Sequence, residues 1–188
     1  MKKTIVGLVG ETGSGKDTVA DYLEKEYGAT LMRFADPIKD TLSIYFDKLS
    51  KKDQQWLYGV FKDRFGADIL SRAMKKRIED ADNGLIIVNG VRMPSDYEFI
   101  REFESSKILY ITAQEKIRWQ RVTGRGEKSD DQLPFESFQA LNEKETEVHV
   151  PKIGEKADCI IDNEKDLEYL LIEADKFMKE LGVERVAK

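Results

Sequence analysis

A glycine-rich segment near the start of the chain has the residue types that bind phosphate. Gly10 and Gly15 are followed by a lysine in the spacing Gly10-x-x-x-x-Gly15-Lys16. Glycines let consecutive backbone N–H groups turn toward one anion, and a helix that begins near Lys16 adds the positive end of its dipole. The lysine ammonium can reach the outer phosphates of a nucleotide. The predicted phosphate-binding residues are Gly10, Glu11, Thr12, Gly13, Ser14, Gly15, Lys16, Asp17 and Thr18.

The residue after Lys16 departs from the usual form of this loop, in which a hydroxyl residue binds Mg²⁺. This chain has Asp17, followed by Thr18. Mg²⁺ binds oxygen ligands and keeps several waters, so Asp17 can hold it directly or through water. A carboxylate also suits the first turn of a helix, and both interpretations can hold together. We therefore predict ATP and Mg²⁺ as cofactors, with Asp17 as the metal residue and Thr18 at an inner phosphate.

Arginines form a second set of candidate residues. Arg118, Arg121 and Arg125 are spaced three and four apart on a predicted helix that runs into a polar, glycine-containing stretch. Transfer of a phosphoryl group requires charge neutralisation and exclusion of water, which arginines on a closing lid supply. We predict a lid over about 118–133 with Arg121 and Arg125 as catalytic residues, and we expect Arg118 to form surface ion pairs.

Further cations follow the predicted strands. Arg92 lies just after the apolar run 85–88, at the carboxyl edge where open α/β sheets bind ligands. We predict that Arg92 binds the phosphate of the acceptor. Arg33, Lys39 and Arg72 are additional candidates for contacts with the acceptor.

Two other classes of phosphate-loop protein are disfavoured. The run 85–88 is not followed by an Asp-Glu pair of the kind that activates water in ATP-driven motors. The order Asn-Lys-x-Asp, which reads guanine in GTPase switches, is also absent from the sequence.

Strands and helices must alternate to position these residues. Short apolar runs predict strands, and helical periodicity with Gly and Pro punctuation predicts the helices. The predicted strands are 4–9, 30–34, 85–88, 107–111 and 159–161. The predicted helical stretches are 16–27, 37–82, 94–103, 113–122, 135–147 and 164–181. This order predicts one α/β domain over 1–188, with a five-stranded parallel sheet, 85–88 as a central strand, and a frayed tail at 183–188.

Composition limits the partners. The 188 residues include 31 basic and 36 acidic ones, and a net charge of −5 disfavours broad nucleic-acid binding. The single cysteine, Cys159, and single histidine, His149, exclude an internal disulfide and a Cys/His zinc site. No stretch approaches the roughly 20 apolar residues of a membrane span. We expect a cytoplasmic protein whose partner is a small-molecule phosphate acceptor, with no nucleic-acid or membrane partner; its oligomeric state is not predicted.

Several motifs resemble nucleoside-monophosphate-kinase-like P-loop kinases over nearly the whole chain. Segments 14–21 (SGKDTVAD), 36–40 (DPIKD) and 65–70 (FGADIL) are similar to phage-type deoxynucleoside monophosphate kinases. Segments 89–92 (NGVR) and 157–163 (ADCIIDN) look equally like dephospho-coenzyme A kinases and an archaeal family of uncharacterised relatives. The resemblance implies a three-layer P-loop NTPase fold with a helical acceptor-binding region at about 37–82 and a short lid.

The resemblance also implies transfer of the terminal phosphate of Mg-ATP to a (deoxy)nucleoside monophosphate, with Asn163 beside the adenine. In dephospho-coenzyme A kinases an aspartate near the acceptor hydroxyl occupies the place of Asp36. Asp36 is therefore either a base or orienter for a hydroxyl acceptor, or a helix cap. Relatives often have an acid where this chain has Asn89, so Asp17 is expected to compensate in the magnesium shell. A regulator that senses ATP without transferring phosphate is the third alternative.

Overall fold

The computed structural model describes residues 3–125, 134–143 and 147–186. Its strands are β1 Thr4–Val9, β2 Thr30–Met32, β3 Leu85–Asn89, β4 Ser106–Thr112 and β5 Cys159–Asp162. Its helices are α1 Lys16–Tyr27, α2 Asp36–Ser43, α3 Lys51–Phe65, α4 Ile69–Asp80, α5 Pro94–Arg101, α6 Glu115–Arg125, α7 Phe135–Asn142, α8 Val150–Gly154 and α9 Leu167–Glu180.

The strands form one five-stranded sheet in the order β2-β3-β1-β4-β5, and all of its pairs are parallel. This confirms the predicted α/β fold. The middle strand is β1, whereas β3 is an inner strand beside it, so 85–88 is not the centre of the sheet. Because both faces of such a sheet are covered by helices, its strands are apolar runs rather than alternating patterns.

Two apolar layers enclose the sheet. On one face α1 and α9 pack against the strands through side chains such as Leu23 and Phe177. On the other face α4, α5 and α8 contribute Met74, Ile100 and Ile153. The three-layer prediction is therefore confirmed. The layers fix the carboxyl ends of the strands in one row, where the phosphate loop begins.

The predicted helical stretch 37–82 consists of α2, α3 and α4 with breaks between them. Ser50 caps α3, because its Oγ accepts the Asp53 N–H at 3.1 Å. Ile38, Leu42 and Leu57 form a small core of this region, separate from the two layers on the sheet. A separate core lets the region keep its own shape beside the sheet.

Two predictions for the last third of the chain were wrong. The helix predicted over 135–147 ends at Asn142, and the short helix α8, which begins at Val150, was not predicted. The tail predicted to fray is bonded to α1, because the Val186 N–H donates to the Glu26 carbonyl at 2.9 Å. Arg185 pairs with Asp175 at 2.5 Å, which ties the tail to α9. Within the described residues, no helix is both long enough and apolar enough to cross a membrane.

A tight contact between α8 and β4 yields a stability prediction. A Cβ atom at Gly154 would lie 2.4 Å from the ring of Tyr110, so Gly154→Ala must displace that ring. We expect Gly154→Ala to lower the free energy of unfolding by about 1–3 kcal/mol, as overpacking does. Urea unfolding of dilute protein measures this change.

Gly59→Ala is the matched control for this substitution. Gly59 lies inside α3, and apart from its chain neighbours and the nearby backbone of that helix no atom of the described residues comes within 4 Å of the position that its Cβ would take. Alanine is the better helix former there, so the control should raise the free energy of unfolding by up to about 1 kcal/mol. Equal effects of the two substitutions would contradict the contact at Gly154.

Candidate functional site

The loop between β1 and α1 depends on glycine at two positions. Gly13 and Gly15 have φ of 84° and 99°, a left-handed conformation that other residues rarely adopt. A Cβ at Gly13 would lie 2.5 Å from the Arg118 carbonyl oxygen, and one at Gly15 would lie 2.4 Å from Nδ2 of Asn163. The loop is therefore pressed against α6 and against the end of β5.

Asn163 holds this loop directly. Its Nδ2 donates to the Ser14 carbonyl at 2.8 Å, and its backbone N–H donates to the Thr112 carbonyl at 2.8 Å. Arg121 donates from Nη2 to the Asn163 carbonyl at 2.8 Å. Asn163 is buried, so the residue that the resemblance placed beside the adenine also supports the phosphate loop.

Arg118 is a second support, and it is buried rather than on the surface where the sequence placed it. Its side chain is only 6% exposed. The guanidinium donates to the Ala113 carbonyl at 3.1 Å and to the Thr12 carbonyl at 3.3 Å. It also lies 5.8 Å from the ring centroid of Phe138 on α7. Arg118 thus links the phosphate loop to α6 and α7.

A side chain of β4 holds Glu11 in place. The Tyr110 hydroxyl donates to Glu11 Oε1 at 2.6 Å. Burial raises the pKa of Tyr110, and the bond to Glu11 raises it further, so the hydroxyl keeps its proton and remains the donor. Glu11 Oε2 and Ser14 Oγ are buried and have no hydrogen-bond partner in the described residues. These atoms are available to a ligand in the loop or to water.

Lys16 and Asp17 form an ion pair at the start of α1. Lys16 Nζ lies 2.8 Å from Asp17 Oδ1, and Asn89 Nδ2 donates to the same oxygen at 2.8 Å. Burial lowers the pKa of the Lys16 ammonium, and the nearby Arg92 and Arg33 lower it too, while Asp17 opposes them. Burial alone would raise the pKa of Asp17, but attraction by Lys16 and the hydrogen bonds from Lys16 and Asn89 outweigh it and lower the pKa to about 2.

The donor set around Asp17 fits Mg²⁺. Asp17 Oδ2 makes no hydrogen bond within the described part of the chain, and the side chain is 57% exposed. Asn89 Oδ1 is buried without a hydrogen-bond partner there. The described residues contain no group of three or more His, Cys, Asp or Glu side chains that could hold a metal ion. One or two protein oxygens suffice for Mg²⁺, which completes its shell with water and phosphate oxygens.

Two arginines stand near Lys16 at the ends of β2 and β3. Arg33 and Arg92 are close enough for their charges to lower the pKa of Lys16. Arg92 forms an ion pair with Glu147, which is buried and whose Oε2 has no hydrogen-bond partner in the described residues. Arg33 has no ion-pair partner among the described residues. The structure therefore brings Arg92 and Arg33 together with Lys16, whereas Arg72 pairs with Asp68 on α4 at 3.2 Å.

Asp36 has a local role at the start of α2. The structure gives Ala35 as the N-cap and Asp36 as the first helical residue, so Asp36 is not itself the cap. Its carboxylate accepts the backbone N–H of Arg33 at 2.6 Å and lies 3.9 Å from Lys39 Nζ. Asp36 thus fixes the backbone that carries Arg33.

A cavity of about 320 Å³ adjoins the phosphate loop on the side away from Arg33 and Arg92. Its wall combines loop glycines with polar and apolar side chains from α1, α6, α9 and the segment between β5 and α9. These are Gly13, Gly15, Thr18, Arg121, Asn163, Lys165, Leu167 and Leu170. Arg121 Nη1 is buried without a hydrogen-bond partner in the described residues, so it can donate to a ligand. A larger cavity, about 470 Å³, lies at the amino edge of the sheet around Lys3, away from the phosphate loop.

The lid predicted over 118–133 is described only in part. α6 runs to Arg125, but the Arg125 side chain and residues 126–133, including Lys128, lie outside the described residues. The catalytic prediction for Arg125 therefore stays a prediction.

Comparison with known proteins agrees with this arrangement. A family model described as deoxynucleotide monophosphate kinase matches residues 4–69, from β1 to the start of α4. A UPF0200 protein of Methanoculleus marisnigri is 27% identical over 181 residues, which cover 95% of this chain and 97% of that protein.

Solved structures share the fold. TT1252 from Thermus thermophilus superposes with a TM-score of 0.62 at 18% identity, over 96% of this chain and 99% of that one. Shikimate kinase from Bacteroides thetaiotaomicron gives 0.58 at 15% identity, again over 96% and 99%. The chain has the nucleoside-monophosphate-kinase-like P-loop fold. The resemblance found in the sequence motifs is thus confirmed, and the fold is that of P-loop small-molecule kinases.

Sequence reasoning missed the residues that support this P-loop from outside. Tyr110, Glu147 and the buried role of Arg118 carry no local motif, because each acts on a partner far away in the chain. One signal was available for Tyr110: a tyrosine inside an apolar strand needs a partner for its hydroxyl. Nothing in the sequence around Glu147 indicates that it is buried.

The lowered pKa of Asp17 predicts a pH dependence of stability. Because the folded-state pKa of about 2 lies below the ordinary value of 3.8, the carboxylate stabilises the fold fully above about pH 4, and this stabilisation is lost as the pH falls toward 2. We expect Asp17→Asn to lower the free energy of unfolding near neutral pH, because Lys16 then stays buried without its counter-charge.

Urea unfolding of both proteins at about pH 6 and about pH 3 measures this effect, and the difference between them should shrink at the lower pH. Asp21→Asn, which removes an exposed carboxylate from the same helix, controls for the change in net charge. A difference that stays constant over this range would rule out the Lys16–Asp17 pair as its source.

Proposed function

We propose that this protein is a kinase that transfers the terminal phosphate of Mg-ATP to a (deoxy)nucleoside monophosphate. The observation that carries the proposal is that Arg33 and Arg92 follow β2 and β3 at the carboxyl edge of the sheet, near enough to Lys16 for their charges to lower its pKa. These cations lie on the side of the loop away from the cavity lined by Arg121. They offer a second anion site in addition to the P-loop itself.

The electrostatics favour an acceptor that already carries a phosphate. Gathering three cations near one point is unfavourable unless anions balance them, and here Asp17 and Glu147 do so. An acceptor phosphate can replace the Glu147 carboxylate on Arg92, because guanidinium binds both groups in the same forked geometry. Arg33 is then the second ligand, held in place by the bond between its backbone and Asp36.

The donor side uses the P-loop and its surroundings. The backbone N–H groups of 10–15 and the Lys16 ammonium would bind the phosphates, and Thr18, which lines the cavity, would contact an inner phosphate or the ribose. Asp17, with Asn89 beside it, would hold Mg²⁺, which when bound shields the charge of the phosphates. Lys16 would leave Asp17 and bind the migrating phosphate. Its positive charge would then stabilise the negative charge that develops during transfer. Arg121 would bind the nucleotide at the cavity.

The comparisons support this acceptor without deciding it. The matching family model is named for deoxynucleotide monophosphate kinases, and its region includes the P-loop, Arg33, α2 and α3. The structural neighbour named shikimate kinase indicates that the same fold serves a different acceptor. The choice of a monophosphate therefore rests on the cations at the acceptor side.

Two alternatives receive less support. A dephospho-coenzyme A acceptor needs Asp36 as a base or orienter, but the Asp36 carboxylate is already bonded to the Arg33 N–H and lies near Lys39. A regulator that only senses ATP leaves the arginines on the acceptor side without a role.

An acceptor panel tests the proposed reaction. Coupled ADP release with Mg-ATP is measured for each ribo- and deoxyribonucleoside monophosphate and for dephospho-coenzyme A. We expect at least one monophosphate to stimulate turnover, and Lys16→Ala to lower that turnover by about 100-fold or more while the circular dichroism spectrum is unchanged. Stimulation by dephospho-coenzyme A alone would select that alternative. ATP binding without transfer to any acceptor would select the regulator.

The acceptor-side cations predict a selective effect on the Michaelis constant. Arg33→Ala should raise KM for the monophosphate about 10- to 100-fold and change KM for ATP much less, because it removes a charge-assisted hydrogen bond to the acceptor. Steady-state kinetics with each substrate varied in turn measure the two constants. Arg72→Ala is the matched control, because Arg72 on α4 is an exposed arginine that pairs with Asp68, and both constants are expected to be unchanged.

Arg92→Ala is expected to act in the same direction, but it also leaves the buried Glu147 without its ion pair. The double variant Arg92→Ala/Glu147→Gln removes that unpaired charge and isolates the loss of acceptor binding. If both arginine variants raised KM for ATP and left the acceptor constant unchanged, the assignment of an acceptor site to these residues would be wrong.

A further inference from the structure

Glu147 is a buried carboxylate to which the proposed reaction gives no role while the acceptor is bound. Its side chain is only 7% exposed, and Arg92 is bonded to one of its two oxygens, Oε1. The other oxygen, Oε2, is buried and has no hydrogen-bond partner in the described residues. A buried carboxylate oxygen without a donor is unfavourable, because burial removes the water that would otherwise bond to it. Glu147 therefore has an unused place for a hydrogen-bond donor.

Glu147 lies on the acceptor side of the P-loop. Val9, Val91 and Val150 belong to one apolar layer on the sheet. The P-loop begins directly after Val9, Arg92 follows Val91, and Glu147 comes shortly before Val150. The Val150 N–H donates to the Glu147 carbonyl at 3.0 Å, so the start of α8 holds the backbone of Glu147. The carboxylate thus stands beside Arg92, where the acceptor phosphate is proposed to bind.

Binding of the acceptor phosphate removes the ion pair of Glu147. The Arg92 side chain is 37% exposed, so a ligand can reach it, whereas Glu147 is almost wholly enclosed. When a phosphate takes the place of the carboxylate on Arg92, Glu147 stays behind as a buried negative charge. A buried charge that has lost its partner is strongly unfavourable. An acceptor that displaces Glu147 must therefore bring a hydrogen-bond donor of its own.

A sugar hydroxyl is the donor that a nucleoside monophosphate carries nearest to its phosphate. The N–H groups of the base lie farther away, beyond the sugar ring, and they differ from one base to the next. The 3′-hydroxyl is present in ribonucleotides and deoxyribonucleotides alike, so the whole proposed class of acceptors shares it. A hydroxyl that donates to a carboxylate forms a charge-assisted hydrogen bond, which is stronger than a bond between neutral groups.

We propose that Glu147 is a specificity-determining residue, which accepts a hydrogen bond from the 3′-hydroxyl of the acceptor sugar while Arg92 and Arg33 bind the acceptor phosphate. The inference rests on the proposed function, because it takes a nucleoside monophosphate as the acceptor. Glu147 is bonded to Arg92 in the free protein and to the sugar in the complex. Acceptor binding then depends on phosphate and sugar together, since a phosphate without the hydroxyl leaves Glu147 unpaired.

Sugar analogues and a variant of Glu147 test this contact together. The quantity measured is kcat/KM for each deoxynucleoside 5′-monophosphate and for its 2′,3′-dideoxy analogue, which lacks the 3′-hydroxyl. In the parent protein, loss of the hydroxyl should lower kcat/KM about 10- to 100-fold, as loss of a hydrogen bond to a charged group does. Glu147→Met nearly keeps the size of the side chain and removes its oxygens, so the difference between the two acceptors should largely disappear.

The comparison is a double-mutant cycle in which one change is made in the protein and the other in the acceptor. Glu147→Met also frees Arg92, but a change that acts through Arg92 or through the fold alters kcat/KM for both acceptors by the same factor. A contact between Glu147 and the hydroxyl makes the ratio of the two constants depend on residue 147. Glu155→Met removes an exposed glutamate at the end of α8 and should leave that ratio as in the parent.

Isothermal titration calorimetry in the presence of ADP measures binding of the same acceptors without turnover. If they bind with the expected selectivity but are not phosphorylated, the proposed function is wrong and the contact with Glu147 stands. If the parent phosphorylates deoxy and dideoxy acceptors equally well, or if Glu147→Met leaves their ratio unchanged, the contact is wrong and the kinase assignment stands. Absence of binding by every monophosphate would overturn both.

Discussion

The hydrogen bond from Asn163 to the Ser14 carbonyl joins the P-loop to the end of the last strand. Asn163 reaches the loop only because β5 pairs with β4 and β4 pairs with β1, which places the residue after β5 beside the residues after β1. Arg118 makes a similar connection from α6 to Thr12. The loop's shape thus depends on the register of the sheet, and the sheet places its donors before any phosphate binds. Such preorganisation is what makes fixed dipoles effective in phosphoryl transfer.

The charges around the loop are balanced in pairs that can exchange. Lys16 is bonded to Asp17, and Arg92 is bonded to Glu147, so two cations have carboxylates in the places where phosphates would bind. Burying Lys16 without a partner would be costly, and the pair with Asp17 limits that cost. The same pair keeps Asp17 ionised, because it lowers the pKa of the carboxyl. A carboxylate that stays ionised is the form that binds a hard cation.

The sequence predicted the elements of this fold well because their signals are local. The apolar run of β1 and the glycines that bracket α1 fix those boundaries to the residue. The burial of Arg118 and the pairing of Arg92 with Glu147 were not predictable, because their partners are 106 and 55 residues away. The charge spacing correctly put Arg118 on a helix, but spacing does not tell which side of a helix faces the core. The prediction of a frayed tail failed for the same reason. Bonds to α1 and α9 hold the tail, and its own sequence does not show them.

The position of Asn163 late in the chain also has a consequence for synthesis. A ribosome makes the P-loop residues first, but the side chain that holds the Ser14 carbonyl is added about 150 residues later, at a rate of roughly 5–20 residues per second. The nascent chain therefore carries the glycine-rich segment 10–16 for roughly 7–30 seconds before β5 can dock. During that interval the loop has no fixed donors with which to bind a nucleotide. A nucleotide, such as the proposed ATP, would therefore bind only after β5 has been made, and it would stabilise the assembled domain rather than guide its first steps of folding.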